Sequence, residues 1–378
     1  MDQNVVTLIL SLLAILAGSF FILYGSIPAR HVLPALLVGI LLLSFGTTIP
    51  ELAITLHAAF GKIDREAINA ISEGSSAAID NYKFLTKVTF PVAVIIGSCF
   101  ANMFLVSGLA GLTLKKPYKI ENFTYARDLP FLFLAILLVA GASWWWKTAP
   151  QVPEVEVYKI KMTIGVVFLA AAALYILVVF ITELMGKKNG HYDEAGPDGS
   201  GGGPDMITAL FCLVIGAGAL GLGVYVLAFE TPAVIEFFTR QQVDVEAFPI
   251  RPQDKLLYAQ YGLLFIGLAV ALPEILVTLF AWLRGDSDAV AGNLIGSTIF
   301  NLLGVLGLGI LLSKGRLFDG LDWDIFNADF GILLIGAGLL AFFLYSNKRL
   351  EAWEGFLLII LYGVYWVARF TGALPFHA

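Results

Sequence analysis

The chain has 378 residues, 58% of them hydrophobic and 14% charged, with a formal net charge of −6 at pH 7. Its mean hydropathy is +0.84. This balance excludes a soluble globular domain in favour of a polytopic membrane protein, and the scattered Lys and Arg residues exclude a nucleic-acid-binding surface.

Apolar windows of roughly 20 residues, enough to cross a hydrocarbon core about 30 Å thick, follow one another at 4–27, 33–60, 88–113, 129–146, 161–184, 206–229, 256–282, 287–312, 329–346 and 352–371. Ten transmembrane helices are therefore expected. The first is preceded by Asp2 and not by a basic segment, and it exceeds the length of a signal-peptide core, so it reads as a retained helix. The two cysteines, Cys99 and Cys212, each fall inside a span, which argues against a disulfide framework or a zinc site. No resident cofactor is expected.

The clearest break in composition is GKKNGHYDEAGPDGSGGGPD, residues 186–205, which reads as a flexible loop. It divides the spans five and five. Odd-numbered halves that resemble each other must insert in opposite senses, the inverted-repeat plan of many secondary transporters. The halves do resemble each other. GILLLSFGTTIPELAITL (39–56) aligns with GLLFIGLAVALPEILVTL (262–279), placing Pro50 on Pro273 and Glu51 on Glu274. VIIGSCFANMFLVSGLAGL (94–112) aligns with NLIGSTIFNLLGVLGLGIL (293–311), placing Ser98 on Ser297 and Asn102 on Asn301. Each serine lies four residues before its asparagine, so the pair shares one helix face.

The fold class follows: an all-α polytopic membrane protein, ten transmembrane helices arranged as two inverted five-helix repeats with broken helices at the ion site. The first repeat takes residues 1–185, with motifs near 39–60 and 92–112; the loop is 186–205; the second repeat takes 206–378, with motifs near 262–282 and 291–312. Glu274 precedes Ser297 by 23 residues but Glu51 precedes Ser98 by 47, so the first repeat carries an insertion near 62–87. Within it Ile63, Ala67, Ile68 and Ile71 are spaced for a short amphipathic helix on the membrane, although a surface insertion without a role fits as well.

A proline followed by a glutamate inside a span states the chemistry. Pro50 has no amide hydrogen to give the carbonyl of Gly46, and it crowds that of Thr47; Pro273 does the same to Ala269 and Val270. Carbonyls without donors in hydrocarbon cost several kcal/mol unless something polar or cationic meets them. Two carboxylates, freed carbonyls, two serines and two asparagines make an all-oxygen site for a hard cation. Ca²⁺, which takes about 6–8 oxygens in flexible geometry, fits better than Mg²⁺, which holds its waters. One Ca²⁺ neutralises both glutamates, and so do two Na⁺ or two protons, an equivalence that underlies exchange.

At these residues the sequence resembles the calcium/cation antiporter superfamily, most closely its sodium/calcium exchanger branch: GTTIPE looks like that family's GTSLPE, and GSCFAN and GSTIFN look like its GSNIFN. The resemblance covers both repeats and the ten-span layout. It implies a secondary antiporter that moves Ca²⁺ against Na⁺ by alternating access. Glu51 and Glu274 would bind Ca²⁺ with help from the carbonyls of Thr47 and Val270, while Thr48, Ser98, Asn102, Ser297 and Asn301 would complete the cation sites. Four features depart from the family pattern: Val270-Ala271 stands where the family has Thr-Ser, Asn301 where it often has aspartate, Thr48 where it has serine, and the insertion is additional. These departures keep H⁺-coupled Ca²⁺ antiport as an alternative. A cation channel, from another class, would repeat its ligands around an oligomeric pore.

Other signals read as structural. His57 lies near a helix end and is matched by Phe280. Asp319, Asp322, Asp324 and Asp329 read as a solvated acidic run, and Asp193, Glu194, Asp198 and Asp205 lack EF-hand spacing. Trp144 to Trp146 mark a membrane interface. The expected partners are the transported ions and the lipid bilayer, and the expected location is a prokaryotic plasma membrane, with the central loop cytoplasmic by resemblance.

Overall fold

The structure, a computed structural model, describes residues 3–27, 43–60, 89–113, 118–119, 122–148, 154–188, 205–229, 259–284, 287–315, 326–347 and 349–374. The insertion near 62–87 and most of the central loop lie outside the described residues.

The first repeat supplies α1 (Gln3–Gly25), a broken α2 (Phe45–Thr47 and Ile49–Phe60), and α3, which runs through Phe90–Phe100, a π-helical stretch Ala101–Val106 and Ser107–Thr113. It closes with α4 (Asn122–Thr148) and α5 (Glu154–Lys188). The second repeat follows the same plan. It has α6 (Met206–Phe229), a broken α7 (π-helical Gly262–Ile266, then Gly267–Val270 and Leu272–Arg284), and α8 (Ser287–Ile299, π-helical Phe300–Val305, Leu306–Leu312). Then come α9 (Asn327–Asn347) and α10 (Ala352–Phe370). Nine helices among the described residues are long and apolar enough to cross a membrane; of the second expected span, 43–60 are described. Helices α4 and α5 outrun their apolar windows, because polar residues at helix ends reach the interface while remaining helical. An antiparallel ladder, Tyr118 with Leu350 and Lys119 with Arg349, ties the end of α3 to the start of α10.

Two helix starts carry side-chain caps. Glu351 and Glu354 form a capping box at the start of α10. Asp205, at the head of α6, accepts the Thr208 amide at 2.7 Å, and these bonds hold its carboxyl below the usual range. It serves as the N-terminal cap of α6.

Packing obeys the inverted symmetry. Helix α1 contacts α7 as α6 contacts α2, α3 contacts α10 as α8 contacts α5, and α3 contacts α7 as α8 contacts α2. The burial pattern of α4 from Asp128 recurs in α9 from Asp329. The two motif helices sit at the centre, with 89% of the α3 window and 83% of the α8 window buried, against 28–44% for the helices outside the core formed with α7. Lipid-facing surfaces are apolar, as Leu13, Leu177, Phe211 and Ile335 illustrate.

In lipid, close helix approach rests on small residues, because hydrocarbon offers no hydrophobic driving force between helices. The α1–α6 seam does this at seven-residue intervals: Gly18 and Gly25 on one helix face Gly216 and Ala209 on the other, antiparallel, and Gly223 meets Ser11. The α3–α7 crossing is tighter still. A Cβ at Gly97 would lie 1.9 Å from the Leu263 carbonyl oxygen, and one at Gly267 would lie 2.7 Å from the Gly97 Cα. We therefore expect Gly97→Ala to force the two helices apart and to cost on the order of 1–3 kcal/mol or more. Thermal unfolding in detergent reads this directly, and an unchanged midpoint would contradict the crossing.

One part of the sequence reading is corrected. Asp329 is no member of a solvated run but is fully buried in the first turn of α9. Its Oδ1 accepts the Tyr365 hydroxyl at 2.8 Å and Arg369 Nε at 2.9 Å, and Arg369 Nη2 lies 2.6 Å from Oδ2. Asp128, its counterpart in α4, is also fully buried and pairs with Arg127, whose Nη1 donates to Thr182 on α5 at 2.8 Å. Carboxylates at these depths persist because each has an arginine partner. The partner comes from the same helix in one half and from α10 in the other.

Candidate cation site

The site is assembled where the two broken helices meet the two π-helical stretches. In α2 the helix is interrupted at Thr48 (φ −80°, ψ −5°), and in α7 at Ala271 (φ −82°, ψ −2°), each two residues before the proline. Both residues occupy the bridge region between helix and extended chain, the expected outcome when the proline cannot donate. The glutamate follows in the first turn of the resumed helix. In α3 and α8 the π turn begins one residue before Asn102 and Asn301, widening the helix where its amide must turn inward; such turns recur at functional sites.

Glu51, Glu274, Ser98, Asn102, Ser297 and Asn301 are all 0% exposed. All but one of the hydrogen bonds among them cross between the halves. Asn102 Nδ2 donates to Ser297 Oγ at 3.0 Å, and Asn301 Nδ2 donates to Ser98 Oγ at 3.2 Å and to Glu51 Oε1 at 3.1 Å. The Ser98 hydroxyl also donates to Glu51 Oε1. With the nitrogens committed, the amide oxygens remain. Asn102 Oδ1, Asn301 Oδ1, Glu51 Oε2 and both oxygens of Glu274 are buried with no hydrogen-bond donor. The Thr47 hydroxyl and the Asn102 amide stand beside Glu274, and neither makes a well-formed hydrogen bond to it. Left alone, each such oxygen costs about 1–3 kcal/mol, and more where the group is charged, so this group of side chains can accept hydrogen bonds or coordinate a hard cation. Among the described residues no three His, Cys, Asp or Glu side chains converge, so the donor set is that of a hard cation and not of a thiolate or imidazole metal.

Not every residue named from the sequence turns its side chain to this group. The Thr48 hydroxyl donates to the Ser44 carbonyl at 2.6 Å, and the residue lines an apolar cavity of about 250 Å³ with Leu52, Ala172, Phe300, Gly304 and Val305. Val270 packs among Ile15, Ile22, Ile54 and Leu220, leaving only its backbone for ions. Thr47 is buried and donates to Asn293 Oδ1 and to the Ser44 carbonyl, both at 3.3 Å. Asn293 and Ser44 are polar neighbours that the sequence reading passed over. Asn293, Ser297 and Asn301 follow at intervals of four on one face of α8, and that spacing was the available signal. His57 stacks edge-on against Tyr225, with ring centroids 5.1 Å apart, as a packed helix-end histidine.

The sodium/calcium exchanger protein family model matches residues 3–181 and 256–371, one stretch in each repeat. The chain is 23% identical to the inner membrane protein YrbG of Escherichia coli (strain K12), over 86% of this chain and 83% of that one. It is 24% identical to the sodium/calcium exchanger MaX1 of Methanosarcina acetivorans, over 97% and 98%. Among solved structures it resembles the sodium-calcium exchanger NCX_Mj soaked with Na⁺ and Sr²⁺, with a TM-score of 0.57 and 22% identity over 97% and 98% of the two chains. That likeness gives the fold, two inverted five-helix repeats. Family match and relatives agree that this multi-pass integral membrane protein is a cation antiporter, and the chain belongs to the sodium/calcium exchanger protein family.

Proposed function

We propose that the chain exchanges Ca²⁺ for Na⁺ by alternating access around Glu51 and Glu274, with Ser98, Asn102, Ser297, Asn301 and the backbone at Thr47, Thr48 and Val270 completing the cation cage. The observation that carries this reading is the set of five buried oxygens without donors, two of them on a glutamate that no protein group neutralises. With nearby carbonyls, five oxygens approach the six to eight that Ca²⁺ takes. Two fixed negative charges in low dielectric require a counter-charge in every state, so the site can reorient with one divalent or two monovalent cations but not bare. In this reading residues 1–185 and 206–378 are the two halves that rearrange, joined through 186–205 on the cytoplasmic side.

Radiolabelled Ca²⁺ uptake into proteoliposomes loaded in turn with Na⁺, K⁺ or acidic buffer, at clamped potential, tests the proposal. Uptake should require internal Na⁺. Uptake driven solely by a proton gradient would replace Na⁺ by H⁺ as the coupling ion, a second reading favoured by Val270 and Ala271, which leave the α7 break without hydroxyls. Adding them with Val270→Thr and Ala271→Ser is expected to lower the Na⁺ concentration for half-maximal exchange by no more than about twofold, because the Val270 side chain packs in the apolar cluster and the hydroxyl of the matched Thr48 bonds its own helix. A larger drop in that double variant would mean that hydroxyls at this break set coupling.

A further inference from the structure

The two glutamates are not equivalent. Glu51 Oε1 is met by Ser98 and Asn301, whereas Glu274 has no donor although Thr47 lies beside it. The reason is found in the acceptors around Thr47. A hydroxyl has one hydrogen to give, and a carbonyl oxygen has two lone pairs to receive with. The Ser44 carbonyl already accepts the Thr48 amide at 3.1 Å and the Thr48 hydroxyl at 2.6 Å. Thr47 reaches it only as a third donor, at 3.3 Å. The acceptor with capacity to spare is Asn293 Oδ1, also at 3.3 Å, on a residue that is 0% exposed. The α8 backbone at Asn293 is itself pinned to α2, because the single Ser44 hydroxyl hydrogen lies between the carbonyls of Gly292, with Oγ at 3.0 Å, and Asn293, with Oγ at 3.1 Å.

We propose that Asn293 is a positioning residue that draws the Thr47 hydrogen away from Glu274, so that Thr47 presents lone pairs to the site and Glu274 can be satisfied only by a cation. The inference rests on the reading of Glu274 as an ion ligand. Without Asn293, the hydroxyl turns to the carboxylate and the protein competes with its own cargo. The other half shows the arrangement without this device: Val94, Gly267 and Val270 stand where Asn293, Ser44 and Thr47 stand, and the helices there close by backbone contact at Gly97.

The test is a double-variant cycle in proteoliposomes, measuring the KM for Ca²⁺ and the maximal rate for wild type, Asn293→Val, Thr47→Val and the double variant. Asn293→Val, which installs the residue of the matched position, should raise the KM roughly 10- to 150-fold, the weight of one internal hydrogen bond to a charged group. The same change in the Thr47→Val background should do nothing further, because no hydroxyl remains to turn. An unchanged KM in Asn293→Val, or an equal increase in both backgrounds, would overturn the role of Asn293; the latter would make it a packing residue. Wild-type protein that exchanges neither Ca²⁺ nor Na⁺ would overturn the reading of the site and this inference with it.

Discussion

Glu51→Gln and Glu274→Gln are each expected to fold and to lose Ca²⁺ exchange by at least about 100-fold, because a divalent cation in a low-dielectric cage loses half its counter-charge, an effect of several kcal/mol. Folding should survive. Removing a buried charge also removes its desolvation cost, and Gln at 51 still offers Ser98 and Asn301 an acceptor oxygen where Glu51 Oε1 now receives both. The measurement is Ca²⁺ uptake alongside thermal unfolding of the same preparations. Normal uptake by both single variants would remove the two glutamates from the site, and loss of folding in either would make its carboxylate structural.

The second large effect lies away from the cage. Arg369→Val should destabilise the protein by about 3–5 kcal/mol, since it leaves Asp329 charged, buried and short of its main partner. The double variant Asp329→Asn with Arg369→Val should recover much of that loss, because a neutral amide beside Tyr365 costs far less to bury than a lone carboxylate. Thermal or denaturant unfolding in detergent separates the outcomes: a double variant no more stable than Arg369→Val would show that packing, not charge, governs this corner. Tyr365 stacks on Phe100 with centroids 3.9 Å apart, and Phe100 lies between Ser98 and Asn102. A milder loss of transport should therefore accompany the single variant.

Sequence and structure agree where the physics is local or repeated. The spans were legible because a bilayer demands long apolar runs, and the clustering of the glutamates, serines and asparagines because each motif occurs twice with these residues in register. Asn293 was missed for the converse reason: it has no counterpart, Val94 being its match. Asp329 was misread because three other aspartates precede it in a loop-like run, while its partner Arg369 is 40 residues further on in a different helix. The reach of α4 and α5 beyond their apolar windows could not be read from hydropathy, which reports the hydrocarbon core and not where helical hydrogen bonding stops.

The crosswise bonds have a consequence for how the two halves could drift apart after a duplication. Asn102 leans on Ser297 and Asn301 on Ser98, so a change at any of these four strands a polar group in the opposite half. They remain Ser with Ser and Asn with Asn. Thr47, Ser44 and Asn293 bond to one another along a single α2–α8 contact, and the corresponding set has become Val270, Gly267 and Val94 together. At this contact the halves thus differ by a whole hydrogen-bonded group. A transporter built from two copies of either half alone would keep the asparagine–serine lattice but would have both helix breaks hydroxylated or both dry, so its two sides would be chemically alike.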